Sequence, residues 1–464
     1  MSDFKMKDIE WAKINEDVLA SLESPRKAFW IVLAVCFALV LCGVAAEIYQ
    51  YNMGLGVALM NNPHYWQTYI SNFVFWIGMS HSGTLLSAIL LLTHADWRKP
   101  IYRFAEAMTF FSIATAAIFP VIHIGRVWDM YWVLPYPNQH AIWPNFRSPL
   151  LWDAFAITTY ATSSALFLYI GMIPDLAICR DKAKGWRKKL YTAMSLGWMG
   201  RATEWIAFQK TYVLMACFLV PLAVSVHSIV ASDFAMSIMP GWHVTSFPPY
   251  FVAGALYSGC AAIITLFVLL RYLFKFEAYM TPEIMDKTAR LTFAIAMAWN
   301  FLNLSEYASI WYSHDMFEHE MLIDKFTGPY AGVVWTMLFC ATVVPFAMAW
   351  KKVRVNMWAM FVISLLIQLG MWLERFQIVS PPLASNHEPW TQVVVWPGLV
   401  QMTITAASFG WFTMLFLIFC KVFPSVSMYE VKEMVYHRNK HGKQKLQDLD
   451  KIKDDMIKTE EGLS

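Results

Sequence analysis

His123, Arg126 and Asp153 fall within a short span of one another, in stretches that are otherwise apolar. An imidazole and a carboxylate held at one depth in a low-dielectric medium suit the oxidation of a hydroquinone, because one group accepts a hydroxyl proton while the other orients or relays it. The i, i+3 spacing of His123 and Arg126 puts both on one face of a helix, where Arg126 brings a positive charge near Asp153. A second set of titratable residues, His81, Glu106, Asp175, Glu306, Glu374 and Arg375, is scattered through other apolar runs. Charged or titratable groups are costly inside a bilayer, so each is a functional candidate, and together they suggest a sparse polar ladder across the membrane. Glu47 and His227 are expected near the outer ends of their helices.

Structural readings stand beside these. Arg126 is spaced to pair with Asp129 at a helix end, Glu306 and Arg375 to pair between helices, and His81, between Ser80 and Ser82, to be a satisfied packing residue. Glu374 and Arg375 are adjacent in sequence, so they are expected to point in different directions and to need separate partners.

The elements that must position these residues follow from composition. The chain has 464 residues, 58% hydrophobic and only 15% charged, against roughly 25% charged in soluble domains. Ten segments are apolar for about 20 residues or more, the length that crosses a hydrocarbon core about 30 Å thick. They lie near 27–49, 66–93, 101–130, 149–178, 209–231, 250–274, 289–312, 328–350, 355–379 and 392–420. This is an all-α polytopic membrane protein, divided into a polar N-terminal tail (1–26), a membrane domain (27–420) and a polar C-terminal tail (421–464).

An even number of spans puts both termini on one side. The segments assigned to that side hold 31 of the 36 Lys and Arg residues, which makes it the cytoplasmic side by the positive-inside rule. His123, Arg126 and Asp153 then lie near the outer face, since the third helix runs outward and the fourth inward. Nucleic-acid binding is excluded, because the basic residues serve topology and form no stripe. The outward loops at 131–147 and 233–249 are rich in aromatics and proline and read as an interfacial belt or as a platform for a partner protein. The C-terminal tail mixes Lys with Asp and Glu from Lys432 to Glu461, and that stretch reads as a solvated helix or a disordered end. Seven cysteines without CxxC or CxxCH spacing predict no haem c, zinc or iron-sulfur site of the chain's own.

A short repeat points to internal symmetry. Residues 75–83 (FWIGMSHSG) and 251–259 (FVAGALYSG) match at the Phe, the first Gly and the final Ser-Gly, at a spacing of 176 residues. An offset of four helices predicts two four-helix bundles, helices two to five and six to nine, with the first and tenth outside them.

The blocks HSGTL (81–85), HIGR (123–126), SPLLWD (148–153), PDLAICRD (174–181) and MWLERF (371–376) resemble the NrfD-type family, the membrane subunits of polysulfide reductases, and most closely the ActC-type subunit of bacterial alternative complex III. The resemblance implies ten helices, a bacterial inner-membrane location with cytoplasmic termini, and a quinol (menaquinol or ubiquinol) as substrate. It implies His123 and Asp153 as the groups that act on the quinol, with Arg126 nearby. It also implies partners: c-type cytochrome subunits, an iron-sulfur protein subunit, a paralogous NrfD-type membrane subunit and a terminal oxidase. His81, Glu106, Asp175, Glu306, Glu374 and Arg375 are the positions for a proton path. Three rival readings remain: a structural anchor for peripheral redox subunits, a secondary transporter, and a haem-b cytochrome using two of His81, His123 and His227.

Overall fold

The computed structural model describes residues 11–23, 25–61, 63–134, 146–384 and 393–436. The central part of the outward loop at 131–147 and most of the C-terminal tail lie outside these residues. Ten long helices organise the chain: α1 Lys27–Met53, α2 Thr68–Leu92, α3 Tyr102–His123, α4 Pro149–Lys182, α5 Ala202–Ala235, α6 Phe247–Leu273, α7 Pro282–Ser313, α8 Ala331–Ala349, α9 Met357–Ala384 and α10 Leu399–Val422. Among the described residues nine of these are long and apolar enough to cross a membrane. The exception is α7, whose first turns carry Glu283, Asp286, Lys287 and Arg290; length and apolarity alone therefore support nine spans, one fewer than the ten expected.

Four helices, α2, α3, α4 and α5, close one ring, with α2 against α3 and α5 and α4 against α3 and α5. Helices α6 to α9 close a second ring, and α2 packs on both α6 and α9 to join the two. Helices α1 and α10 pair with each other outside the rings, and α10 also touches α3. The two bundles expected from the repeat are thus present, and the repeat itself forms their contact. A Cβ on Gly259 of α6 would lie 1.2 Å from Ser82 Oγ of α2, so only glycine admits this approach. The position of each helix shows in its burial: α2 is buried along nearly its whole length, whereas α1 buries only Phe29, Cys36, Gly43 and Gln50.

The basic stretches gather at one end of the molecule, here called the basic face. Arg26 pairs with Glu277 at 2.6 Å, Arg354 with Asp286 at 2.7 Å, and Arg98 with Glu430 at 2.9 Å. Lys421 Nζ donates to the Glu23 carbonyl at 2.9 Å. Both described ends of the chain are therefore on this face. Neither is simply a solvated tail. Helix Trp11–Glu23 buries Ile14, Val18 and Leu22, and residues 424–436 bury Val426, Met428, Val431 and Val435.

Candidate functional site

At the end away from the basic face, α3 stops at His123. Gly125 takes a left-handed φ of 73°, and residues Val127–Val133 form a separate 3-10 turn. The expectation that helix three runs to 130 is corrected here, and with it the shared helix face of His123 and Arg126. Glycine just past the last helical turn is a common stop, because it carries no Cβ penalty at positive φ. Arg126 is exposed, and among the described residues it makes no ion pair with Asp129 or Asp153.

His123 and Asp153 nevertheless line one cavity. The last turn of α3, the first turns of α4, the last turn of α5 and the start of α2 enclose a cavity of about 660 Å³. Its wall is mostly apolar, with Trp66, Phe73, Pro120, Leu150 and Ile157 among its residues, and it carries His123, Asp153 and Asp233. Arg126 is not part of this wall. The sequence pattern puts Asp233 at the start of an outward loop, but α5 continues to Ala235 and carries it into the cavity. There its carboxyl group shares the cavity wall with that of Asp153.

Among the described residues His123 Nδ1, Asp153 Oδ1 and Asp233 Oδ1 are buried without a hydrogen-bond partner. Buried polar atoms are rarely left unpaired. Three such atoms on one apolar cavity are suited to a ligand with a flat apolar body and two oxygens that can donate and accept.

The remaining titratable residues form two separate columns. In the first bundle, His81 stacks on Tyr160 at 4.4 Å, and its Nδ1 bonds the Ile77 carbonyl at 2.6 Å. His227, expected near an outer helix end, lies 4.9 Å from His81, ring to ring. These imidazoles are too close for a porphyrin to fit between them. Further toward the basic face, Glu106 accepts from Ser87 at 2.6 Å and from Tyr212 at 2.7 Å. Beyond it, Arg103 pairs with Asp175 at 2.9 Å, both fully buried. His81, Glu106 and Asp175 therefore line one continuous bundle interior.

In the second bundle, Arg375 curls back onto its own neighbour, with Nε 3.1 Å from Glu374 Oε2, and lies 4.5 Å over the Phe251 ring. The expectation of separate partners fails because the arginine side chain is long enough to fold back along the helix. No ion pair joins Glu306 to Arg375 among the described residues. Glu306 is buried instead in the field of Lys325 and Glu374. Lys325, which the span pattern leaves in an outward loop, is buried in helix Met316–Thr327. No group of three or more His, Cys, Asp or Glu side chains among the described residues is arranged to hold a metal ion.

Residues 56–384 match the family described as polysulphide reductase, NrfD, and the chain belongs to that family of membrane proteins. It is 29% identical over 253 residues to a putative dimethyl sulfoxide reductase membrane subunit of Halobacterium salinarum, covering 54% of this chain and 53% of that protein. Over 249 residues it is 21% identical to a selenate reductase subunit of Mesobacillus selenatarsenatis, covering 52% and 56% of the two chains. The chain spans about half the length of the curated relatives it matches.

Proposed function

We propose that this chain is the quinol-oxidising membrane subunit of a respiratory oxidoreductase, with the apolar cavity at the ends of α3, α4 and α5 as its quinol site. The observation that carries the reading is the meeting of His123, Asp153 and Asp233 on one apolar wall, each with a buried atom left unpaired. The quinol head enters from the bilayer. Asp153, with Asp233 on the same wall, accepts one hydroxyl proton, and His123 accepts the other. Two electrons leave singly to an iron-sulfur partner subunit outside the membrane, and the protons are released on that side.

The blocks shared with ActC-type subunits favour an alternative complex III setting, in a bacterial inner membrane with the basic face cytoplasmic. There c-type cytochrome subunits would take the electrons onward to a terminal oxidase, with a paralogous NrfD-type membrane subunit alongside. A proton route is a further part of this reading: His81 and Glu106 line the first bundle as far as Asp175, and Glu306, Glu374 and Arg375 line the second.

The site is tested by titrating a short-tailed quinol analogue into the assembled complex and following quenching of tryptophan fluorescence, with Trp66 in the cavity wall. Saturable quenching that weakens at least about tenfold in Asp153→Asn supports the site. Quenching that is unchanged in that variant places quinol elsewhere, and the chain is then an anchor for its partners.

A further inference from the structure

Asp175 is placed by sequence among the groups of a proton path, yet both of its oxygens are fully engaged. Oδ2 accepts from Arg103 at 2.9 Å and from the Ser427 hydroxyl at 2.9 Å. Oδ1 accepts from the backbone N–H groups of Met428 and Tyr429 at 3.1 and 3.2 Å. A carboxylate that accepts four hydrogen bonds, one of them from a guanidinium, has no free lone pair to take a transit proton. Three of these four donors belong to one stretch of chain just after α10, so the geometry is that of an anchor point.

The stretch so anchored lies across the end of the first bundle. Residues 428–436 are helical, and Asp175 satisfies the first N–H groups of that helix from outside, as a capping side chain would. One residue on, Glu430 makes its buried 2.9 Å pair with Arg98, just before α3. The Tyr429 ring packs on Trp205 and Phe208 at 5.4 and 5.6 Å, at the start of α5. Contacts to α4, to α5 and to the segment before α3 thus come from the four consecutive residues Ser427 to Glu430. Val426, Met428, Val431 and Val435 add an apolar underside that is fully or almost fully buried.

Beneath this cover, Arg103, Tyr102, Glu106, Tyr212 and Ser87 form a run of buried polar groups toward the middle of the bundle. Such a run admits water and protons wherever it meets solvent. We infer that residues 425–436 are a stopper, keyed into Asp175, that closes the basic end of this polar column against proton leak. Asp175 is then a positioning residue for the stopper. The inference does not depend on the quinol reading, since neither the cover nor its anchor touches the cavity.

The test uses the assembled complex in sealed vesicles of phosphatidylethanolamine and phosphatidylglycerol, with a trapped pH dye and an imposed potassium diffusion potential. Cys420, buried at the end of α10 five residues before Ser425, serves as a native reporter through labelling with a polar maleimide. In the wild type Cys420 is expected to stay unlabelled and the vesicles tight. Asp175→Ala is expected to make Cys420 reactive and to speed proton entry several-fold. Asp175→Asn, which keeps an oxygen for Met428 and Tyr429, is expected to restore much of the seal. If Asp175→Ala does not assemble, Glu430→Gln removes the Arg98 ion pair while leaving Asp175 intact, and the same two changes are expected in milder form. An assembled variant with Cys420 still protected and vesicles still tight overturns the inference. Labelling without leak, or leak without labelling, overturns it too, because the cover and the seal would then be separate.

Discussion

The carboxyl groups of Asp153 on α4 and Asp233 on α5 line one apolar cavity, each with an oxygen that is buried and unpaired. Under the proposed function the two carboxyls share the proton taken from quinol. On that reading the pair behaves as one proton acceptor.

It follows that Asp233→Asn should damage turnover as much as Asp153→Asn does. Each is expected to lower the kcat of quinol oxidation by about 100-fold, the usual contribution of a positioned acid or base. The double variant is expected to be no worse than either single one, because groups acting as a unit are not additive. Steady-state kinetics on the four complexes checks this, and multiplicative losses would show two independent groups.

The apolar part of the cavity should set binding. Ile157 lines it without touching the carboxyl pair's chemistry, so Ile157→Trp is expected to raise the KM for quinol by about tenfold while kcat stays within about twofold. A fall in kcat at unchanged KM would mean that the head group does not sit there.

Helix contact in the first bundle depends on a glycine. A Cβ at Gly83 would lie 2.2 Å from the backbone oxygen of Ala105, where no side chain can yield. Gly83→Ala is expected to cost about 3 kcal/mol or more and to reduce the amount of assembled complex on a native gel. Gly332→Ala, with nothing within 4 Å, is the control and should assemble normally.

The buried Arg103–Asp175 pair should be a stability element. Removing one partner leaves the other charge uncompensated, a loss of about 3–5 kcal/mol. Arg103→Leu is therefore expected to lower the melting temperature of the solubilised complex clearly, and an unchanged melting temperature would contradict the pairing.

Much of this architecture is legible in the sequence because the bilayer imposes a simple rule on it: long apolar runs become helices, and basic residues collect on one face. The match between residues 75–83 and 251–259 even locates the contact between the bundles, since Ser82 and Gly259 meet there. His123 and Asp153 are legible for the same reason, as titratable groups at one end of consecutive antiparallel helices. Asp233 is missed because the apolar run thins before the helix ends, and four further residues of α5 carry it inward. The clue available was chemical: Asp153 needs a partner at its own depth. Arg126 is misplaced because the helix pattern is extended through Gly125, although a glycine there is itself a stop signal. The closeness of His81 to His227, and the seating of residues 425–436 on Asp175, depend on tertiary packing that no local pattern encodes.

The most direct test of the account is quinol:acceptor oxidoreductase activity of the intact complex carrying His123→Ala or Asp153→Asn, with assembly verified by native gel and by the presence of every partner protein. The expected result is normal assembly with activity reduced by about 100-fold or more in each variant. Full activity in assembled complexes of both variants would contradict the account, and the cavity formed by α3, α4 and α5 would not be where quinol is oxidised.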